Sequence, residues 1–340
     1  MKSMNNILNF GRILKNQLKN MIIYKKRKMR IGFIGCGKHA TINLYPALTY
    51  TDANLVSVCA KHYYSAINTS ERFGAERHYL DYEKMMKEEK LDGVVICVNR
   101  KLHPKIITRA INNNLHVFVE KPPVSTVKEL NDIVELAKLK KKEVMVGYQK
   151  RFSTIYTKLK EVIVNGELGK ITSYKSEFYV GRHSSIEEML YELGIHHIDL
   201  AQYLMGQIVS INYETKNSSP HSITLTLNFK NNVTGKLFIS SSRKKCKDTE
   251  KIEVIGELNS AIAENMSKLT LRNKSVWELN PVVPSLENNT VYTNGYVPEL
   301  KHFIDSIENN KTPHNSLKDS IRTIEIIERI CKFAGNKVSS

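Results

Sequence analysis

Residues 29–40 read MRIGFIGCGKHA, and this stretch decides how the rest of the chain is parsed. Ile31, Phe33 and Ile34 make an apolar run that stops at Gly35-Cys36-Gly37-Lys38-His39-Ala40, and a helix-like segment comes next. Strand, glycine turn and helix in this order form a cradle for a dinucleotide diphosphate. The first glycine makes the tight turn, the second lets backbone approach phosphate, and a small third residue lets the helix pack on the strand. The helix N-terminus attracts the negative charge. Gly35, Gly37, Lys38, His39 and Ala40 are therefore candidate cofactor contacts. An ordinary strand–helix turn has the same spacing, so the assignment rests on the pattern of residues 41–147.

That pattern is repetitive. Apolar runs at 31–35, 55–60, 93–98, 116–120 and 144–147 alternate with helical patterns at 41–50, 64–73, 82–89, 104–113 and 126–141. Alternation of this kind predicts a parallel sheet covered on both faces, in an α/β doubly wound domain. Ligands of such sheets bind beyond the carboxyl ends of the strands, which directs attention to the residues after each run. After the second run, Cys59-Ala60-Lys61-His62 lacks the acid that normally accepts the adenosine ribose hydroxyls of NAD. Lys61 and His62 instead favour the 2′-phosphate of NADP, although both also suit an ordinary loop. Further on come Asn99 and His103, then Glu120-Lys121-Pro122-Pro123. A lysine at the mouth of a parallel sheet, preceded by an acid and fixed by proline, is placed for chemistry. A cationic nicotinamide beside it would depress its pKa.

The second half changes character. Tyr148-Gln149-Lys150-Arg151-Phe152 leads into a helix at 155–164, a turn, and a strand at 171–180. Residues 187–206 read as one helix. At about 100° per residue, Glu192, His196, Asp199 and Tyr203 share a stripe opposite Leu190, Leu193, His197, Ala201 and Leu204. The stripe predicts a polar cleft in which Asp199 either orients His196 or makes a helix-surface or interdomain contact, and it leaves His197 as a structural histidine. Strands at 209–214, 222–229, 233–240, 251–256, 260–264 and 268–272 predict a large open, mostly antiparallel sheet in an α+β domain. Helices at 296–309 and 316–333 close the chain. The expected domains are a basic extension at 1–28, a dinucleotide-binding domain at 29–148, and a substrate and oligomerisation domain at 149–333. The last helix is expected to pack back on the first domain.

Composition narrows the function classes. The chain has 340 residues, enough for two cores. Its net charge of +17 suggests nucleic acid until it is divided. Nine lysines and arginines and no acid lie in residues 1–30, leaving 42 basic against 34 acidic groups and a net +8 elsewhere. That balance argues against a nucleic-acid partner. Residues 1–28 have an apolar pattern too interrupted for a signal peptide. They admit an amphipathic helix with Ile7, Leu8, Leu14 and Leu18 near one face, but read as a loosely ordered extension. The five cysteines form no CxxC pair or His/Cys cluster, which points to reduced thiols, no metal and a cytoplasmic setting. No run reaches the roughly 18 apolar residues of a membrane span.

Taken in order, the glycine turn, EKP at 120–122, GYxxRF at 147–152, NGxLGKI at 165–171 and GxHxxD at 194–199 resemble the glucose–fructose oxidoreductase / inositol dehydrogenase / rhizopine-catabolism (Gfo/Idh/MocA) family. The resemblance covers residues 29 to about 333. It implies a nicotinamide-dependent oxidoreductase acting on a sugar, cyclitol or nucleotide sugar. It also implies a homodimer or homotetramer assembled through the C-terminal sheet. The family's lysine falls on Lys121 and its acid–base histidine on His196. The carboxylate four residues earlier is Glu192 here, one methylene longer than the family's aspartate, and the ribose-binding acid is missing at Ala60. Lys121, Glu192, His196, Arg182 and Arg243 are the candidate substrate contacts. Lys150, His183, Lys244 and Lys245 are further cations that could gather on an acidic substrate group, whereas Arg151 is tied to the interdomain hinge. Two other readings share the fold: a dinucleotide-binding regulator without catalysis, and an enzyme that oxidises, eliminates and reduces in one site with no net change in cofactor.

Overall fold

The apolar runs do become a parallel sheet, with strands β1 (Arg30–Ile34), β2 (Asn54–Cys59), β3 (Arg77–Tyr79), β4 (Gly93–Ile96), β5 (His116–Glu120) and β6 (Val144–Gly147). The computed structural model describes residues 27–242, 248–271, 274–278 and 290–336. Strand order is β3-β2-β1-β4-β5-β6, all parallel, so the order reverses between β1 and β4. Ile31, Phe33, Val94, Ile96, Val117 and Val119 are wholly or almost wholly buried, because helices cover both faces and leave no polar side for alternation. The three-residue β3 was not expected from the sequence. Its RHY carries too little apolar signal, and it is held as an edge by pairing with β2.

The second sheet has eight strands: β7 (Ile171–Tyr179), β8 (Ile208–Lys216), β9 (Ser222–Phe229), β10 (Thr234–Ser240), β11 (Thr249–Gly256), β12 (Ser260–Glu264), β13 (Lys268–Leu271) and β14 (Lys274–Glu278). Their order is β14-β13-β12-β11-β7-β10-β9-β8, and only the β7–β10 pairing is parallel. Tyr174, Ser176 and Phe178 of β7 point into the core, while Lys175 and Glu177 lie on the opposite, uncovered face. Helices Thr154–Val164, Ile195–Met205 and Leu317–Asn336 cover the inner face.

Two hydrophobic clusters hold the layers. One joins Phe33, Leu44, Tyr45, Phe118 and Met145 of the first half to Val297, Leu300 and Phe303 from helix Tyr296–Glu308. The other runs from the opposite face of the parallel sheet into the second sheet. Leu317–Asn336 also packs on helix Val127–Lys140 and on β6. Both closing helices therefore return to the first half of the chain. The expected extension at 1–28 lies outside the described residues apart from Arg27 and Lys28, as does Arg243.

Candidate active site

The glycine turn is fixed by its own backbone. Gly35 has φ +113°, and a Cβ there would come within 1.9 Å of the Cys97 carbonyl oxygen. Its N–H donates to the Cys59 carbonyl at 2.8 Å. Tyr45 clamps the turn from below. Its hydroxyl donates to the Gly35 carbonyl at 3.2 Å, and its ring stacks on Phe33 at 3.9 Å between centroids. Ala40 is fully buried and opens a five-residue π-turn, Ala40–Leu44, that runs into helix Tyr45–Leu48. A Cβ at Gly37 would meet no protein atom within 4 Å, so packing does not require glycine there. The open side of the turn faces a cavity of about 640 Å³ at the carboxyl ends of β1, β2 and β4.

That cavity suits a dinucleotide by its donors: a glycine turn ahead of a helix, with Lys38, Lys61, His39 and His62 on its walls and no carboxylate among its lining residues. Asn99 also lines it, while its side chain accepts the Lys101 N–H at 3.1 Å. His103 requires a correction. Its side chain is buried, with Nδ1 2.7 Å from the Pro122 carbonyl and Nε2 3.1 Å from the Val98 carbonyl. It ties two loops together and does not line the cavity; burial lowers its pKa.

A second cleft of about 300 Å³ adjoins the first, and His39 and the mouth of the parallel sheet contribute to both. Glu120 and Lys121 enter it from the end of β5, and His196 enters from the first turn of helix Ile195–Met205. Lys121 and His196 thus meet in one crevice, although they come from different layers. Lys121 donates from Nζ to the Glu192 carbonyl at 2.6 Å, and burial lowers its pKa against the opposing pull of Glu120 and Glu192. His196 is 7% exposed and its Nδ1 has no hydrogen-bond partner. Burial, then the charges of Lys121 and Lys150, hold its pKa well below the ordinary imidazole value.

The polar stripe is broken. Residues 186–205 are not one α-helix, because a π-turn at Leu190–Gly194 separates Ile186–Met189 from Ile195–Met205. The wider turn swings the Glu192 side chain out of row to 55% exposure, where it faces His183 at 3.7 Å. Its backbone carbonyl, not its carboxylate, reaches Lys121. Asp199 does not orient His196 either. It is buried in a two-point pair with Arg151, at 2.7 Å to Nε and 2.5 Å to Nη2, which keeps Arg151 out of the cleft.

Of the cations expected to gather on a substrate anion, Arg243, Lys244 and Lys245 lie outside the described residues, and the described ones do not gather. Lys150 is buried against Glu250, which also accepts from Tyr156 at 2.6 Å and from His197 at 2.9 Å. Burial raises the Glu250 pKa, but Lys150 and His197 outweigh it and hold the group below the usual carboxylate range. His197 completes this network through Ser176 at 2.7 Å and stacks on Phe178, so it is structural as expected. Arg182 is exposed and outside the cleft lining. Phe178, Asn265, Met266, Asp248 and Tyr296 do line it and were missed. Apart from Phe178 on β7, they lie more than 50 residues from His196, and no motif marks any of them. Among the described residues no group of His, Cys, Asp or Glu is arranged for a metal, and Cys36, Cys59, Cys97 and Cys331 are free.

Comparison with known proteins agrees with the two-domain fold. Residues 29–148 match the oxidoreductase family with an NAD-binding Rossmann fold named GFO_IDH_MocA, and residues 160–338 match that family's C-terminal alpha/beta domain. The chain is 26% identical over 260 residues to a myo-inositol 2-dehydrogenase of Thermotoga maritima, covering 72% of this chain and 77% of that protein. It is 27% identical over 192 residues to a D-glucoside 3-dehydrogenase of Escherichia coli, covering 52% and 54%. An oxidoreductase from Agrobacterium radiobacter, solved with NAD+, L-tartaric acid and magnesium, shares the fold. Its TM-score is 0.78 at 18% identity, over 88% of this chain and 94% of that one.

Proposed function

Because the chain belongs to the Gfo/Idh/MocA oxidoreductase family, we infer that it is a dehydrogenase or reductase moving a hydride between a nicotinamide dinucleotide and a secondary alcohol of a neutral polyol. The observation that carries this reading is the convergence of Lys121 and His196 on one cleft adjoining the glycine-turn cavity. Oxidation of an alcohol needs a donor that holds the hydroxyl oxygen and a base that removes its proton. Lys121 supplies the donor and stabilises developing alkoxide. Lys121 also makes the hydroxyl more acidic, which suits a base as weak as buried His196. The nicotinamide, when bound, accepts or returns the hydride.

Neutrality of the substrate is argued from the charges. Lys150 is compensated by Glu250, Glu120 offsets Lys121, and Asp248 adds a further carboxylate, so the described lining offers acceptors as well as donors to a hydroxyl-rich ring. The sugar and cyclitol names of the two relatives point the same way. Lys61 and His62, with no acid beside them, support NADP over NAD. A second copy of the chain would be held against the uncovered face of the second sheet, where Phe238, Ile255 and Ile262 are partly exposed.

The test is a cofactor-absorbance screen of cyclitols, hexoses and glycosides with both NAD and NADP. A neutral polyol is expected to drive reduction of the cofactor. Lys121→Ala and His196→Ala are expected to lose about 10²–10⁴-fold in kcat while still binding NAD(P)H. The acid limb of kcat against pH is expected below pH ~6.5, since the neutral, proton-accepting form of His196 persists there. Full turnover in either variant would remove that residue from the chemistry.

A further inference from the structure

Two loops that bring Lys121 and Leu193 into the substrate cleft are clasped to each other. One is residues 121–125, between β5 and helix Val127–Lys140, and the other is the π-turn Leu190–Gly194. Each loop sends one side chain to a backbone carbonyl of the other. Lys121 Nζ donates to the Glu192 carbonyl at 2.6 Å, and the Tyr191 hydroxyl donates to the Ser125 carbonyl at 2.5 Å. Tyr191 and Val124 are both buried, so the clasp is closed off from solvent on that side. Arg100 lies over it. Its guanidinium carbon is 4.4 Å from the centre of the Tyr191 ring, Nη1 donates to Ser125 Oγ at 3.3 Å, and Nη2 donates to Glu187 at 3.2 Å.

We propose that Tyr191 is a positioning residue for Lys121, and that Arg100 acts through it by keeping its ring in place. The proposal rests on the role given to Lys121 above. An ammonium carries three N–H donors on a flexible four-carbon stem, and nothing in the side chain itself chooses where they point. The Glu192 carbonyl takes one donor and leaves two for the cleft, where the hydroxyl oxygen is to be held. That carbonyl belongs to the widened turn, and the hydroxyl of Tyr191, the residue before Glu192, ties this turn to the lysine's own loop. The lysine and its acceptor are thereby held as one unit. A guanidinium suits the outer position because it stacks flat on an aromatic ring while donating from its edge.

The groups that face the Lys121 ammonium come from every side of the cleft. They are Glu120 at the end of β5, Cys97 after β4, Lys150 after β6, Glu192 on the π-turn and His196 on helix Ile195–Met205. All keep their identity when Tyr191 becomes phenylalanine, so a change in the lysine's titration in that variant reads the loosening of the turn that carries Glu192. A carbonyl that accepts from the ammonium favours its charged form. Weakening that bond lowers the pH at which the lysine gives up its proton and ceases to hold an oxygen. Asn99 and Leu102, on either side of the Arg100 turn, line the cofactor cavity, which makes Tyr191→Phe the cleaner probe of the two.

The test is steady-state turnover of the whole protein across the alkaline range, with the polyol found in the absorbance screen as substrate. Tyr191→Phe is expected to lose about tenfold in kcat and to keep KM and the Kd for NADH within about twofold. The alkaline limb of kcat is expected to move to lower pH. A residue that only stabilised the fold would lower Tm and leave that limb where it is. Arg100→Gln is expected to lose about threefold in kcat, with the limb moving the same way. The double variant is expected to be within about twofold of Tyr191→Phe alone, because both changes act on one clasp. Wild-type kcat and limb in Tyr191→Phe, or losses that multiply in the double variant, overturn the inference and leave the dehydrogenase reading intact. Wild type that turns over no polyol with either cofactor overturns both.

Discussion

The two walls of the cleft are built on different terms. On the cofactor side the chain offers mostly backbone: a glycine at φ +113°, amides at the start of a turn, and exposed cations around them. On the substrate side it offers side chains held by other side chains, in the Lys150–Glu250–His197–Ser176 network and the Arg151–Asp199 pair. Each wall contains a π-turn, yet their consequences differ. The turn at Ala40–Leu44 begins at the last residue of the glycine-turn stretch and leaves Gly35 to His39 in place. The turn at Leu190–Gly194 falls inside the site and changes which part of Glu192 faces Lys121. A wall made of backbone tolerates a change of helical phase next to it, whereas a wall made of side chains is redrawn by one.

This contrast is tested hardest at Gly35. Gly35→Ala puts a methyl into the Cys97 carbonyl at a positive φ, and is expected to cost on the order of 5 kcal/mol. Thermal unfolding measures that loss, and NADH fluorescence is expected to show no binding. If the variant folds and binds normally, the turn is not the rigid element it is taken to be. Next in size is the buried pair. Lys150→Met leaves Glu250 without its ammonium and is expected to destabilise by roughly 3 kcal/mol in urea unfolding. Because Tyr156 and His197 still donate to Glu250, the loss should fall mainly on the second half of the molecule. The mildest change probes the side-chain wall: Glu192→Gln is expected to change kcat by no more than about twofold, since an exposed carboxylate facing His183 contributes little. A loss as large as that of His196→Ala would return the Glu192 carboxylate to the chemistry.

How far the sequence could be read obeys the same division. The parallel sheet was legible because its strands are buried on both faces and write themselves as unbroken apolar runs. Lys121 and His196 were legible because each sits at a fold-determined position, one at a strand end and one in a helix after a glycine. Glu192 was misplaced because a constant 100° step was applied through residues 190–194, where the turn is wider; Asp199 lies on the same regular helix as His196 and is instead taken by Arg151, 48 residues away in sequence. Nothing local marks a π-turn in LYELG. Lys150 read as a free cation because its partner Glu250 is 100 residues away on β11. His103 read as a cofactor contact because its loop comes after a strand, but a ring between two carbonyls, those of Val98 and Pro122, belongs to the scaffold.

Helix Tyr296–Glu308 is late in the chain, yet Val297, Leu300 and Phe303 seal the apolar layer over Phe33, Phe118 and Met145. During synthesis the part of that layer which Tyr45 and Leu48 leave open therefore waits for its lid until most of the polypeptide has been made. A fragment cut after β6 would lack Val297, Leu300 and Phe303 and is expected to be more prone to self-association than the whole chain.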